Sequence, residues 1–277
     1  MYNYWTEGGF IAYGQTPDPE TGRTPLQLYM DGRAQAAYNT NAYERWMYIM
    51  GGGEPARRIE RAGRTFTNSD YADIGQWIDK QLKSENVGVA LMPAAQFDSV
   101  FMKGLVSSPS WRIVYMDTEQ QLCVDITTEQ GKELYTGIFN GKTKFPDDES
   151  RFLTIGYNLS LFQDDEKAGT GCEFLMQAFA KKPSQVALIE LMHALNRRPQ
   201  SREQAVKVMS QYFDDFIAKR ETYKKEDGYR DKLISALLIA DYFSKVNRQQ
   251  KSLVDKYKSY IAEFSNDQLY MNKTSRW

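Results

Sequence analysis

The feature that most constrains this chain is a change of periodicity near residue 126. Before it, short apolar runs alternate with helical patterns; after about residue 150 no segment reads as a strand. Residues 111–116 and 121–126 read as two strands around the polar turn Asp117-Thr118-Glu119-Gln120. The continuous apolar run 87–92 suits a strand buried on both faces. Residues 26–30 read as a further strand, ending in Asp31-Gly32-Arg33. Helical spacing falls on Ala42, Tyr43, Trp46, Met47 and Met50, then on Ile74, Trp77, Ile78 and Leu82 after a start at Ser69 or Asp70, then on Phe97, Val100, Phe101 and Leu105. The glycine- and arginine-rich stretch from Gly51 to Asp70 reads as a loop. Residues 1–126 are therefore expected to form an α/β domain with a mixed sheet and Rossmann-like layering.

Residues 127–150 read as a linker with a short helix, broken by Gly141, Pro146 and Asp147-Asp148. Residues 151–277 are expected to form an all-α helical-hairpin repeat domain. Its segments pair as 152–164 with 169–181, 184–196 with 201–219, and 230–246 with 250–264, punctuated by Pro183 and Pro199. Ser201 and Gln204 have capping-box spacing. A period of about 34 residues is the signature of tetratricopeptide arrays. With Pro183 as the terminal proline, Ala178, Leu175, Gly171 and Phe162 fall at suitable positions, and Leu159 breaks the pattern. In the next pair Ala205 and Met209 fit.

A chain of 277 residues has room for two such domains. Lys plus Arg number 35 against 36 Asp plus Glu, so no long-range field draws in nucleic acid, and none is expected as a partner. His193 is the only histidine; it falls in a helical segment and reads as a partly buried helix residue. Cys123 and Cys172 lie outside any metal spacing and pair only if the fold brings them together. No apolar run reaches the ~18 residues that span a bilayer, and the N-terminus lacks the pattern of a signal peptide. The chain itself is expected to be soluble.

The chemistry-bearing candidates are few. Asp31 and Arg33 flank a glycine turn at an expected strand end, where ligand sites of α/β sheets occur. Arg33 could fork onto a phosphate or carboxylate while Asp31 accepts a hydroxyl; the favoured reading is structural, with Asp31 capping a turn or holding Arg33 across the sheet. Gly51-Gly52-Gly53 with Arg57, Arg58, Arg61 and Arg64 lacks the Gly-Lys-Ser/Thr ending of a phosphate loop, and Gly8-Gly9 lacks the dinucleotide spacing. Asp147, Asp148 and Glu149 read as a solvated linker, and Asp164, Asp165 and Glu166 as a turn between helices. No nucleophile–base pair stands out. No catalytic set, metal site or cofactor is expected, and whether the chain is an enzyme stays open.

The order of motifs carries a resemblance. Asn3, Tyr4 and Trp5 precede Gly8-Gly9-Phe10-Ile11; Asp31-Gly32-Arg33 follows; an aliphatic run ends at Pro93; and Trp111, Arg112, Val114, Tyr115 and Asp117 close the series. Over residues 2–126 this resembles the soluble C-terminal domain of bacterial C-type glycosyltransferase-like polytopic membrane proteins, which are similar to dolichyl-phosphate-mannose mannosyltransferases. The resemblance implies an extracytoplasmic accessory region at the bacterial inner membrane, recognising an acceptor or partner without independent catalysis. Its partners would be the membrane-embedded portion of the parent protein and a glycan or a protein. Asn3 and Trp5 would then lie near Asp31 and Arg33. The membrane-spanning part is absent and the first strand is cut at Met1, so the chain reads as an excised domain or a fragmentary reading frame. The alternative is an interaction protein that binds a peptide or partner domain through its helical repeats.

Overall fold

The computed structural model describes residues 1–4, 11, 14–24, 26–30, 40–226, 228–247 and 250–274, with side chains as far as residue 265. Two compact units divide the chain, Met1–Pro146 and Asp147–Trp277. The first contains β1 (Tyr2–Asn3), α1 (Thr40–Met50), α2 (Gly53–Arg61), α3 (Asn68–Ser84), β2 (Val89–Pro93), α4 (Val100–Ser107), β3 (Trp111–Met116), β4 (Gln120–Asp125) and α5 (Glu129–Phe139). The second contains α6 (Asp148–Ser160), α7 (Asp165–Lys181), α8 (Gln185–Arg197), α9 (Arg202–Tyr223), α10 (Tyr229–Val246) and α11 (Lys251–Thr274). The chain is thus mostly helical, with one small mixed sheet near its N-terminus.

The sheet has the order β1-β2-β4-β3. Only β1 and β2 run parallel; the β3–β4 hairpin and the β2–β4 pair are antiparallel. Ala90, Cys123 and Ile113 share one register row, and Leu91, Leu122 and Tyr115 the next. Between those rows β3 carries an extra residue, Val114. A bulge of this kind turns a side chain to the other face, and here it places Val114 with Val124 and Ile138 in a core shared by Val89, Leu122, Tyr135 and Phe145. Helix α5 therefore covers this face, and Phe145 stacks on Tyr115 at 6.4 Å just before the unit ends.

Helix α4 packs on β3 and against α3. The two helices cross at Gly75 and Gly104, where a Cβ on Gly75 would lie 2.2 Å from the Gly104 carbonyl oxygen. That approach lets Ile74, Ile78, Leu82, Phe101 and Leu105 bury completely. Each such side chain contributes about 1.5–3 kcal/mol by leaving water.

Four expectations are corrected here. Residues 26–30 are not a strand. They run beside β1, held by the Met1 ammonium donating to the Gln27 carbonyl (2.6 Å) and by Tyr29 N–H donating to the Met1 carbonyl (3.1 Å). The regular ladder is interrupted because the Asn3 side chain takes the backbone groups of Tyr29 and Met30. The glycine-rich stretch is not an extended loop, since it contains α2. Gly52 and Gly53 take the left-handed φ values of 78° and 62° that turn the chain out of α1, and a Cβ on Gly53 would meet the Trp77 ring at 2.3 Å. Helix α3 starts two residues earlier than expected, capped by Thr67 in a capping box with Asp70. Strand β2 alternates between fully and partly buried positions, so it is not enclosed on both faces.

In the second unit, α6 and α7 form the tightest pair. A Cβ on Gly171 would lie 2.4 Å from the Ser160 backbone nitrogen, and one on Gly156 would lie 2.8 Å from the Leu175 side chain. Helices α10 and α11 form a second close pair. Helix α8 packs on α7 and α10, while α9 packs on α10 and reaches α11 through Phe213 against Tyr257 (5.7 Å) and Phe216 against Phe264 (5.4 Å). Ser201 makes no capping bond; it ends a 3-10 turn that begins at Pro199. Glu149 is not in a solvated linker: it is buried in the first turn of α6, 3.3 Å from Lys182 Nζ, and Asp147 caps that helix. No helix of the described residues is long and apolar enough to cross a membrane.

Candidate functional site

Of the four residues singled out around the Asp-Gly-Arg turn, Asp31, Arg33 and Trp5 lie outside the described residues. Asn3 is described and fully buried. Its Nδ2 donates to the Met30 carbonyl (2.6 Å) and the Tyr4 carbonyl (3.0 Å), and its Oδ1 accepts from Tyr29 N–H (3.1 Å) and Met30 N–H (3.4 Å). The amide is spent on backbone. Asn3 thus brackets the segment that leads to Asp31, and has no hydrogen-bonding capacity left for a ligand.

The other polar clusters of the first unit are similarly committed. Asp79 accepts from Trp111 Nε1 (2.8 Å) and pairs with Lys83 (3.0 Å), which lies 3.7 Å from the buried carboxylate of Asp125. Asp125 also accepts from the Thr127 N–H and hydroxyl, which launches α5. Arg58 and Arg61 pair with Glu54, Arg64 pairs with Asp70, and Arg57 lies over the Tyr48 ring at 4.5 Å. Burial pushes the Cys123 thiol up to about 12, which holds it protonated and inert.

His193 is exposed on α8, 3.8 Å from the carboxylate of Glu190, so the expectation of partial burial is corrected. The helix presents it on the flank away from Leu188, Leu191 and Leu195, which are buried. Both cysteines are buried free thiols. Among the described residues no cluster of His, Cys, Asp and Glu could hold a metal ion.

The second unit holds an open pocket of about 540 Å³, lined by Ser160, Leu161, Phe162, Gln163, Asp165, Arg197 and Arg198. Its floor and lip come from the α6–α7 turn and the end of α8. Arg198 fastens the turn: Nη2 donates to the carbonyls of Phe162 (3.3 Å) and Gln163 (3.1 Å), and Nε lies 2.9 Å from Asp165 in an ion pair off the hydrogen-bond axis. Arg197 donates one bond to Ser160 Oγ (3.0 Å) and has no carboxylate partner among the described residues. Leu161 and Phe162 stand exposed at the rim, and Lys167 covers one face of the Phe162 ring at 5.1 Å. Asp164, outside the lining, caps α7 by accepting from Lys167 N–H (2.8 Å). Two arginines against one aspartate leave the lining with one net positive charge. Behind it, burial raises the Cys172 thiol despite the nearby Ser201 hydroxyl and the charges of Arg197 and Arg198.

The candidate positions taken from the sequence did not include this pocket. The signal was present as Arg197-Arg198-Pro199 at a helix end, but its partners lie about 35 residues upstream. Comparison of the chain with protein-family models, with curated proteins and with solved structures finds no match.

Proposed function

We propose that this chain is a recognition module without chemistry of its own: the extracytoplasmic accessory region of a membrane glycosyltransferase-like protein, contributing acceptor or partner contact. The observation that carries the recognition reading is the pocket of the second unit. It joins an arginine that pairs with no carboxylate among the described residues to an exposed apolar rim. Such a combination suits binding, because an exposed guanidinium and an adjacent apolar contact fix a ligand's orientation together. The glycosyltransferase-like attribution rests on the ordered motifs of residues 2–126.

The finer fold belongs to the same proposal. Helices on both faces of the sheet support a Rossmann-like layering of the first unit. Small residues at the α6–α7 crossing and the close α10–α11 pair support tetratricopeptide-like hairpins in the second. Helices α8 and α9 do not make the extensive hairpin contact seen in those pairs, so the array would be degenerate in the middle.

Reading the gene upstream of Met1 tests the attribution. Several apolar segments of about 20 residues each are expected there, with a reporter fused after residue 277 active only outside the cytoplasm. A gene with no such segments overturns it. In that event the interaction-protein reading, a scaffold that binds a peptide through its helices, takes its place, because it needs only the pocket.

A further inference from the structure

The pocket of the second unit restricts what it can bind. Arg197 donates one N–H to Ser160 Oγ and has no other side-chain partner among the described residues. Guanidinium forks match carboxylates, and charge-assisted pairs are the strongest bonds such a site can make. Arg198 is unsuited to the same role, since the Phe162 and Gln163 carbonyls and Asp165 already occupy it. A phosphate group carries about 1.5–2 negative charges at neutral pH, whereas the lining offers one net positive charge.

The rim decides between a peptide and a sugar. Sugars dock on open aromatic faces, and one face of Phe162 is covered by Lys167. Leu161, the other exposed rim residue, is aliphatic and adjoins Ser160 and Arg197 in the lining. An aliphatic side chain beside a carboxylate meets both features. A volume of about 540 Å³ lies within the range of about 300–1,000 Å³ found for small-ligand sites.

Deepening the recognition reading on which it rests, we infer that this pocket binds an acidic side chain of a partner protein segment, with Arg197 clasping the carboxylate and Leu161 and Phe162 holding the neighbouring apolar side chain. The interaction is weak by itself, because a partly exposed ion pair contributes little. It acts as one contact within a larger surface.

The test uses the 277-residue chain in solution. The blocked peptide acetyl-Leu-Asp-Leu-amide is titrated while the Arg197 Nε–H signal and the backbone amides of 160–163 are followed by nuclear magnetic resonance. Saturable shifts confined to these signals are expected. Replacing the peptide's Asp by Asn, or Arg197→Gln in the protein, should weaken binding about tenfold or more. Leu161→Ser should weaken it several-fold with the guanidinium intact. Thermal melts of both variants establish that they fold; if Arg197→Gln does not, the Asp-to-Asn peptide pair on the native chain decides. Shifts of equal affinity for both peptides, or shifts located elsewhere, overturn the inference. So does glucuronic acid moving the same signals more tightly than the peptide, which would make the ligand an acidic sugar. None of these outcomes bears on the sequence upstream of Met1, so the glycosyltransferase-like attribution fails or stands separately.

Discussion

The two units treat their polar groups differently. In the first, the polar clusters close on themselves: Asn3 on the backbone of Tyr29 and Met30, Trp111 on Asp79, Asp125 on Thr127, Arg64 on Asp70. A buried polar group left unpaired is costly, and a packed sheet core leaves few places where water could substitute. In the second, helices satisfy their own backbone, and the ends of α6 and α8 are free to present Arg197 and the Leu161–Phe162 rim. Self-satisfied polar groups build architecture; groups left over at helix ends are available for recognition.

The sharpest way to break this contrast is at the helix crossings, where both units depend on a missing Cβ. Gly75→Ala in the first unit and Gly171→Ala in the second force a methyl to 2.2 Å and 2.4 Å from backbone atoms that cannot step aside alone. Alanine would favour either helix by about 1 kcal/mol, but overpacking against backbone costs about 3 kcal/mol. A net loss of stability in chemical denaturation is expected for both. A gain at either position would mean that the helices do not approach as closely as described.

Next in size is Trp111→Phe. The change removes the donor to Asp79 and leaves a void in a site with no exposure. A loss of about 2–3 kcal/mol is expected, read from the urea midpoint. Asn3→Ala follows, at about 1–3 kcal/mol, because the carbonyl and N–H of Met30 lose their bonds while Tyr29 N–H keeps the Met1 carbonyl. If Asn3 served a ligand instead of the backbone, its removal would leave the melting temperature unchanged.

A smaller effect depends on pH. Arg64 first, then the Thr67 hydroxyl and N–H, hold the Asp70 carboxyl well below the usual carboxylate range. A lowered folded-state value means that Asp70 stabilises above its ordinary pKa, and that this contribution is lost as pH falls through the folded value. Asp70→Asn should therefore lower the melting temperature at pH 7, with the difference from the native chain shrinking towards pH 2. A difference independent of pH would show that the carboxylate's charge plays no part. The smallest effect belongs to Arg197→Gln, which should change stability by less than about 0.5 kcal/mol, since its single bond to Ser160 is replaceable by water. A large destabilisation would move Arg197 from the recognition class into the architecture of the first unit's kind.

Much of the element order was legible in the sequence. Period-2 alternation in residues 111–125 located the hairpin, and 3.6-residue spacing located the helices around Trp46, Ile78 and Leu105, because local burial patterns survive in any tertiary context. Residues 26–30 misled for a physical reason: their alternation suits a strand, but whether a strand forms depends on a partner edge. There the Asn3 amide takes the backbone bonds a ladder would need. The triple glycine misled because glycine signals a loop locally, while Trp77, more than 20 residues away, packs against the missing Cβ of Gly53 and closes the turn into α2.

What the sequence determined alone was the division into a sheet-bearing first part and a helical second part, together with the scarcity of histidine and cysteine that narrows the chemistry. Those follow from periodicity and composition, which need no contacts to read. Tertiary structure decided which polar residues are free. Arg197 and Arg198 are neighbours with the same side chain, yet one is consumed by the carbonyls of Phe162 and Gln163 and the other opens into a pocket. A side chain's availability depends on partners distant in sequence, and only folding brings those partners within hydrogen-bonding distance.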